Sequence, residues 1–350
     1  MMRLFGAFAI VLSLATSAMA AEFPKQVTIL VGFTAGQGTD LAAGGDPAAL
    51  MSSRMTAEPT YDQAAKFYSM HLGRFLPGEP RIDVRIAPGA ASLVAANQLA
   101  RGPLDGSQIG MIGPAVLFAP YSGGPTVAPP IWIGARQKDD DVCIFRTDLA
   151  IRDFDDLRRR ETFVAALTPA SRSALYPRAL NQLAGTKLKV IGGYGSDFEI
   201  ARALDSGETE GWCGWSMQSL QARHPSFLRD GKAKALVQFT RTETGQGLQI
   251  PRASDLVTGA ARETMRALET QTRLGAFALA VPAGTPADVV TALRAAFIAM
   301  LKDPTVLDEA ARVGFDIDPV SGEDLDALAS EVQTLSPQAK DLMRLLMRGP

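Results

Sequence analysis

Acid–base chemistry in this chain would have to run through two imidazoles, because His71 and His224 are its only histidines. Neither falls in an H-x-x-x-H or related metal-ligand spacing. No G-x-S-x-G turn exposes a serine nucleophile. The cysteines are Cys143 and Cys213, and Cys213 lies in "GWCGWS" (211–216). That stretch reads as Trp212, Cys213 and Trp215 filling a strand and its edge. His71 reads as a surface or half-buried residue of a helix of mixed polarity. A Ser-His-Asp or Cys-His hydrolase would need one of these two histidines in a usable arrangement. No catalytic residue, metal ligand or cofactor is therefore assigned.

Holding an anion on backbone N–H groups suits the residues better. "VTILVGFTAGQGTDLAAGG" (27–45) reads as a strand, a glycine-rich turn and a helix start, an arrangement that can cradle an anion. Its "GQGTD" (36–40) matches neither the dinucleotide nor the P-loop pattern, so alone it is a plain turn. "APGAAS" (87–92) follows a strand and precedes the helical "LVAANQLA", so free N–H groups there point out of the sheet. "LTPASRS" (167–173) and "GGYGSD" (192–197) repeat the arrangement. Converging turns of this kind form a cleft that binds carboxylates through backbone dipoles. The expected donors are Gly89, Ala90, Ala91 and Ser92 from one side. Thr168, Ser171, Ser173 and the turn of Tyr194, Gly195 and Ser196 approach from the other. Arg172 is either a counter-charge or an exposed arginine at a helix start.

The elements that position these turns alternate between β-rich runs and helical patterns. Strands are expected at Val27–Gly32, Ile82–Ala87, Gln108–Ile112, Ile131–Gly134, Val142–Phe145, Phe163–Leu167, Leu188–Gly192, Lys234–Phe239 and Gly275–Val281. Many are continuous apolar runs, as in strands covered on both faces. In "DQAAKFYSMHLGRF" the residues Ala64, Tyr68 and Leu72 fall four apart on one helical face. "DFEIARALDSG" is bounded by Asp197 and Gly207, and "TPADVVTALRAAFIAMLKD" opens on a Thr285 cap with Pro286 at the first helical position. The alternation predicts an α/β fold with mainly parallel sheets. "PYSGGPTVAPP" (120–130) is rich in Pro and Gly and reads as a linker between domains. The last third is mostly helical.

The chain begins MMRLFGAFAIVLSLATSAMA, with Arg3, an apolar run from Leu4 to Ala15, and small residues at Ala18 and Ala20. This is the pattern of a secretory signal cleaved after Ala20, and the run is too short to span a bilayer. Loss of Arg3 moves the formal charge from -2 to -3. So mild a charge argues against nucleic acid and strongly anionic membranes as partners. The remaining chain, of about 330 residues, suits two domains. Two cysteines in an oxidising compartment allow one disulfide or two buried thiols.

"AKFYSMHLGRFLPGEPRIDVRIAPGAASLVAANQLARGPLDGSQIGMIG" (65–113) resembles the receptor proteins of tripartite tricarboxylate transporters, the Bug-type family. The likeness continues in "TKLKVIGGYGSDFEIARALDSGETEGWCGWSMQSL", "DGKAKALVQF" and "LAVPAGTPADVVTALRAAF", and covers nearly all of the chain after the signal. The resemblance implies a periplasmic binding protein of type II, with two doubly wound α/β domains and a ligand cleft between them. Domain 1 would comprise residues 21–120 and 236–350, and domain 2 residues 121–235. It further implies a monomer without enzymatic activity that captures a small carboxylate and passes it to the membrane subunits of a tripartite transporter. An alternative is an adaptor that presents its ligand to a membrane sensor. The family's first ligand loop carries an Asp at a helix start. Counting back from "HLGR" puts that start at Tyr61-Asp62, not at Asp40. Tyr61, Asp62 and Thr34 are thus expected at the ligand, with Asp62 capping the helix. Ala35 to Thr60 would then be an insertion, either a flap over the cleft or a surface loop. Ala87 stands where the family has Asn, and Ala91 where it often has Gly.

Overall fold

The computed structural model describes residues 23–33, 60–124, 127–138, 140–169, 171–241, 250–275 and 277–348, apart from the side chain of Ala222. The expected signal segment, Thr34, Asp40 and residues 35–59 of the expected insertion lie outside the described residues.

Two mixed sheets with flanking helices make two lobes. The first is built from β1 (Gln26–Val31), β2 (Arg81–Ile86), β3 (Gln108–Met111), β4 (Ile131–Ala135), β10 (Leu279–Val281) and β11 (Val320–Ser321), in the order β11-β4-β10-β3-β1-β2. The second holds β5 (Asp141–Arg146), β6 (Thr162–Ala165), β7 (Leu188–Ile191), β8 (Gly211–Ser216) and β9 (Ala233–Phe239), in the order β7-β6-β8-β5-β9. Setting β11 aside, the orders are the same: second strand, first, third, an antiparallel intruder, fourth. The intruder is in each case the strand the chain forms on arriving from the other lobe. β10 runs antiparallel to β3 and β4, and β5 antiparallel to β8 and β9. The sheets are therefore mixed rather than mainly parallel.

The strands form where apolar residues can be covered on both faces. In β1, Val27, Ile29, Leu30 and Val31 are all 0 % exposed. Helix α1 (Tyr61–His71) buries Ala64 and Tyr68 as the spacing predicts. Thr60 is its N-cap: its Oγ1 accepts from the Gln63 N–H, and the Gln63 side chain accepts from the Thr60 N–H. This corrects the expected role of Asp62, whose carboxylate instead accepts from the Thr60 hydroxyl and lies 3.9 Å from Lys66 Nζ.

The chain first crosses between lobes after β4 and returns after β9. The Pro/Gly-rich stretch at 120–130 is not that crossing, because it joins α3 (Ala115–Ser122) to β4 within the first lobe. One apolar core is continuous through both lobes, from Leu30 and Trp132 to Phe145, Val164 and Phe239. The C-terminal helix α11 (Pro337–Arg348) packs on α3 of the first lobe and on α4 (Arg172–Ala184) of the second. Cys143 and Cys213 face each other across β5 and β8 and form a disulfide, with Cα atoms 3.9 Å apart. Among the described residues, no helix is long and apolar enough to cross a membrane.

Candidate functional site

In the first lobe the strand ends β1, β2 and β3 open onto one floor. After β2 the backbone leaves the ordinary regions for four residues running. Gly89 has φ 130 and ψ 147, Ala90 φ 48, Ala91 φ 52 and ψ 46, and Ser92 φ 76 and ψ 1. Gly89 occupies a region open almost only to glycine, and the three residues after it are left-handed. This turn aims the chain into α2 (Leu93–Ala100) and leaves Gly89, Ala90 and Ala91 exposed. Ser92 is 0 % exposed, and its Oγ accepts from the Gly113 N–H at 2.9 Å, tying the β2 loop to the end of β3. N–H groups in the first turn of a helix lack intrahelical acceptors, so donors of this kind belong to an exposed turn.

Over this floor lies an aromatic wall. The Phe33 ring stacks on Tyr61 with centroids 3.9 Å apart and planes at 26°. Tyr61 meets Phe277 edge-on at 4.9 Å and donates its hydroxyl to the Gly275 carbonyl at 3.3 Å. Gly113 has no side chain where the Phe33 ring passes; a Cβ there would stand 2.8 Å from the ring's tip. Burial pushes the Tyr61 phenol up to about 12, against the pull of the Arg172 charge. Arg172 belongs to the second lobe, so the start of α4 lies near enough to the start of α1 for its charge to be felt there.

In the second lobe Arg172 opens α4 and donates to Asp141 Oδ2 at 2.6 Å. Asp141 is 0 % exposed and begins β5, directly after the first crossing. Arg172 is half-buried. Gly214 explains how the start of α4 comes so close to β8. It is the extra residue of a bulge between the pairs Val142–Trp215 and Cys143–Cys213, with φ +77. A Cβ there would sit 2.9 Å from the Arg172 carbonyl carbon. Asp197 faces the same charges: burial raises its carboxyl, and Arg172 and Arg223 pull it back.

The expected ligand groups of this lobe are largely committed to the protein itself. Ser171 Oγ donates to the Thr168 carbonyl at 2.6 Å and lies 2.8 Å from Ser173 Oγ, which accepts from the Leu167 N–H. Tyr194 gives its hydroxyl to Glu208 at 2.6 Å. The Gly195 N–H donates to Glu199 at 2.8 Å, and Ser196 caps α5 (Asp197–Ser206) by accepting from the Glu199 N–H. An internal carboxylate thus already occupies this helix N-terminus.

The structure therefore puts Tyr61 within reach of the Arg172 charge, leaves Gly89, Ala90 and Ala91 exposed at the strand ends of the first lobe, and turns Tyr194 toward Glu208. Sequence reasoning missed Phe33, Phe277, Asp141 and Arg223, and took Asp197 only as a helix start. One signal lay in the acidic run Asp139–Asp141 immediately before an apolar strand, since a charge entering a strand needs a partner. Among the described residues, no group of three or more His, Cys, Asp or Glu side chains is placed to hold a metal ion.

No protein-family model and no curated protein matches the sequence. Solved structures share the fold. A TctC solute-binding protein from Polaromonas, without ligand, has 16% identity and a TM-score of 0.66, covering 92% of this chain and 97% of that one. The periplasmic binding protein BugD has 18% identity and a TM-score of 0.53, covering 93% and 99%. MatC from Rhodopseudomonas palustris with bound malate has 18% identity and a TM-score of 0.52, covering 91% and 98%. The architecture is that of the periplasmic binding proteins.

Proposed function

We propose that the chain is an exported solute-binding receptor of the tripartite tricarboxylate, Bug type, which captures a small carboxylate between its lobes and hands it to a membrane transporter. The observation that supports this reading is the left-handed turn Gly89–Ser92, which exposes Gly89, Ala90 and Ala91 at the strand ends of the first lobe; on this reading Arg172 of the second lobe faces it across the ligand. Malate in the MatC neighbour supports the ligand class. The reading takes the lobes as two domains that close on the ligand by hinge motion at their crossings. On this division the first domain runs to about residue 135 and resumes near residue 250, following the sheets.

A thermal-shift screen of small carboxylates tests the reading, because a ligand at a hundredfold excess over its Kd stabilises the folded form by about 2.7 kcal/mol. If no carboxylate raises the melting temperature, the reading falls. Ala90→Asp then tests the site: a charge at this helix start should repel the anion by about 1 kcal/mol or more. Undiminished binding would remove the 89–92 turn from the site. Solution scattering at saturation should show a smaller radius of gyration than without ligand.

A further inference from the structure

Asp140 and Asp141 stand where the first lobe gives way to the second, and each meets an arginine of a different lobe. Up to Lys138 the chain is fastened to the first lobe. Arg136 is 4 % exposed, donates to the Asp316 carbonyl and lies over the Phe315 ring, 4.6 Å from its centroid. The Asp318 N–H donates to the Arg136 carbonyl at 3.0 Å, and the Lys138 N–H to the Asp318 carbonyl at 2.9 Å. From Asp140 onward the backbone is fastened to the second lobe. The Asp140 carbonyl accepts from the Met217 N–H at 2.9 Å, and Asp141 pairs with Ser216 and Phe239 in the sheet.

The two side chains part company. Successive residues of an extended chain point to opposite sides, and here the two sides are different lobes. Asp141 turns to Arg172 of the second lobe, at 2.6 Å. Asp140 turns back, with Oδ1 3.7 Å from Nη2 of Arg273, which stands in the first lobe just ahead of β10. The hydroxyl of Thr240, directly after β9, donates to the same oxygen and draws the returning crossing into the contact. Beside it Arg241 donates to Glu331 of the first lobe at 2.6 Å. Asp140 is thus joined to the second lobe through its backbone and to the first through its carboxylate. Arg273 is 4 % exposed and Asp140 is half-buried. The lobe spacing that goes with this contact puts Tyr61 within reach of the Arg172 charge.

Resting on the two-lobe, hinged reading above, we propose that Arg273 is a positioning residue, whose guanidinium on Asp140 latches the lobes at their present spacing. Removing either charge deprives a buried partner of its counter-ion, and such a group gains by regaining water. Drawing the lobes apart at the crossings admits that water, so loss of the latch favours wider spacings.

Spin labels at Arg85→Cys in the first lobe and Arg202→Cys in the second, both exposed positions, report the spacing by double electron–electron resonance with no ligand added. The native cysteines do not compete for label, being bonded to each other and 0 % exposed. Arg273→Gln should raise the long-distance population about fivefold or more over the parent, and Asp140→Asn should do the same. Combining the two should add little, because both remove one contact. Arg273→Lys, which keeps the charge, should stay within about twofold of the parent. If both neutral variants fold, as judged by circular dichroism, and leave the distances unchanged, the latch is overturned. A shift in Arg273→Gln alone would place its partner elsewhere and also overturn it. If Arg273→Gln does not fold, Asp140→Asn decides alone. The carboxylate reading survives any of these failures, since the thermal-shift screen tests it separately.

Discussion

Replacing Ala90 and Ala91 together by glycine should raise the stability of this protein, although both changes remove atoms and glycine usually weakens a fold. Ala90 has φ 48 and Ala91 φ 52, so each alanine sits in the left-handed region. A side chain there costs about 1–2 kcal/mol through the clash of Cβ with the carbonyl oxygen. Glycine removes that clash but frees the unfolded chain, which costs back about 0.5–1 kcal/mol. Both residues are exposed, so almost no packing is lost. The net gain is about 0.5–1 kcal/mol at each site, or about 1–2 kcal/mol for the pair. Ser92 is left alone, because its Oγ holds the Gly113 N–H. Calorimetry should show the melting temperature rising by about 1.5–3 °C. Ala96→Gly is the control. Ala96 lies inside the right-handed α2 and is 2 % exposed, so the same change there should destabilise by about 1 kcal/mol or more. If the Ala90/Ala91 double variant loses stability as the control does, the turn is not left-handed and the account of its donors collapses with it.

Glu269 supplies a pH dependence. It is 1 % exposed, accepts from the Ser254 N–H at 2.9 Å, and is pushed up to about 7, chiefly by burial and against the pull of Ser254, Arg241 and Arg252. A carboxyl raised in the folded state favours folding below its unfolded value and loses that contribution as pH rises through the folded one. Denaturant titrations should therefore show stability falling by about 3 kcal/mol between about pH 4.5 and pH 7 in the parent, with a flatter profile in Glu269→Gln; parallel profiles would refute this. The disulfide closes a separation of 70 residues. Replacing both Cys143 and Cys213 by alanine should cost about 4 kcal/mol in equilibrium unfolding, and a loss below about 1 kcal/mol would show that the bridge constrains little.

The strands were legible because each is a short apolar run bounded by turn residues. Their direction was not. β5 and β10 read like their parallel neighbours, since a strand covered on both faces has the same pattern in either direction. The run expected from Gly275 becomes a strand only at Leu279, because residues 271–274 complete a helical turn first. Thr285 was expected to cap a helix; its hydroxyl donates to the Pro282 carbonyl instead, and the helix starts at Ala287. At the site, the turn Gly89–Ser92 and the start of α1 at Tyr61 were readable from small residues and from motif spacing. The partners were not. Phe33 and Tyr61 stack although they are far apart in sequence, and Asp141 reaches Arg172 over 31 positions. Pairings of that kind depend on how the lobes close up, which local pattern does not encode. Tyr194 and the serines at 171 and 173 were read as donors to a ligand because the chemistry of a free side chain gives no sign that a neighbour has already claimed it.

The place of β10 also sets an order of events in biosynthesis. It is inserted between β3 and β4, yet it is made only after the whole of the second sheet. A chain that emerges from its amino end therefore presents β1 to β4 with a vacant position in the middle of their sheet, while β5 to β9 are already all present. The second lobe can gather its strands from one unbroken stretch, and the first has to wait for the late strand and for α11 behind it. Long-range pairings of this type form slowly and leave apolar edges open in the interval. For much of its synthesis the first lobe is consequently a client for whatever holds unfinished chains apart, and truncation upstream of Leu279 would leave it in that condition permanently.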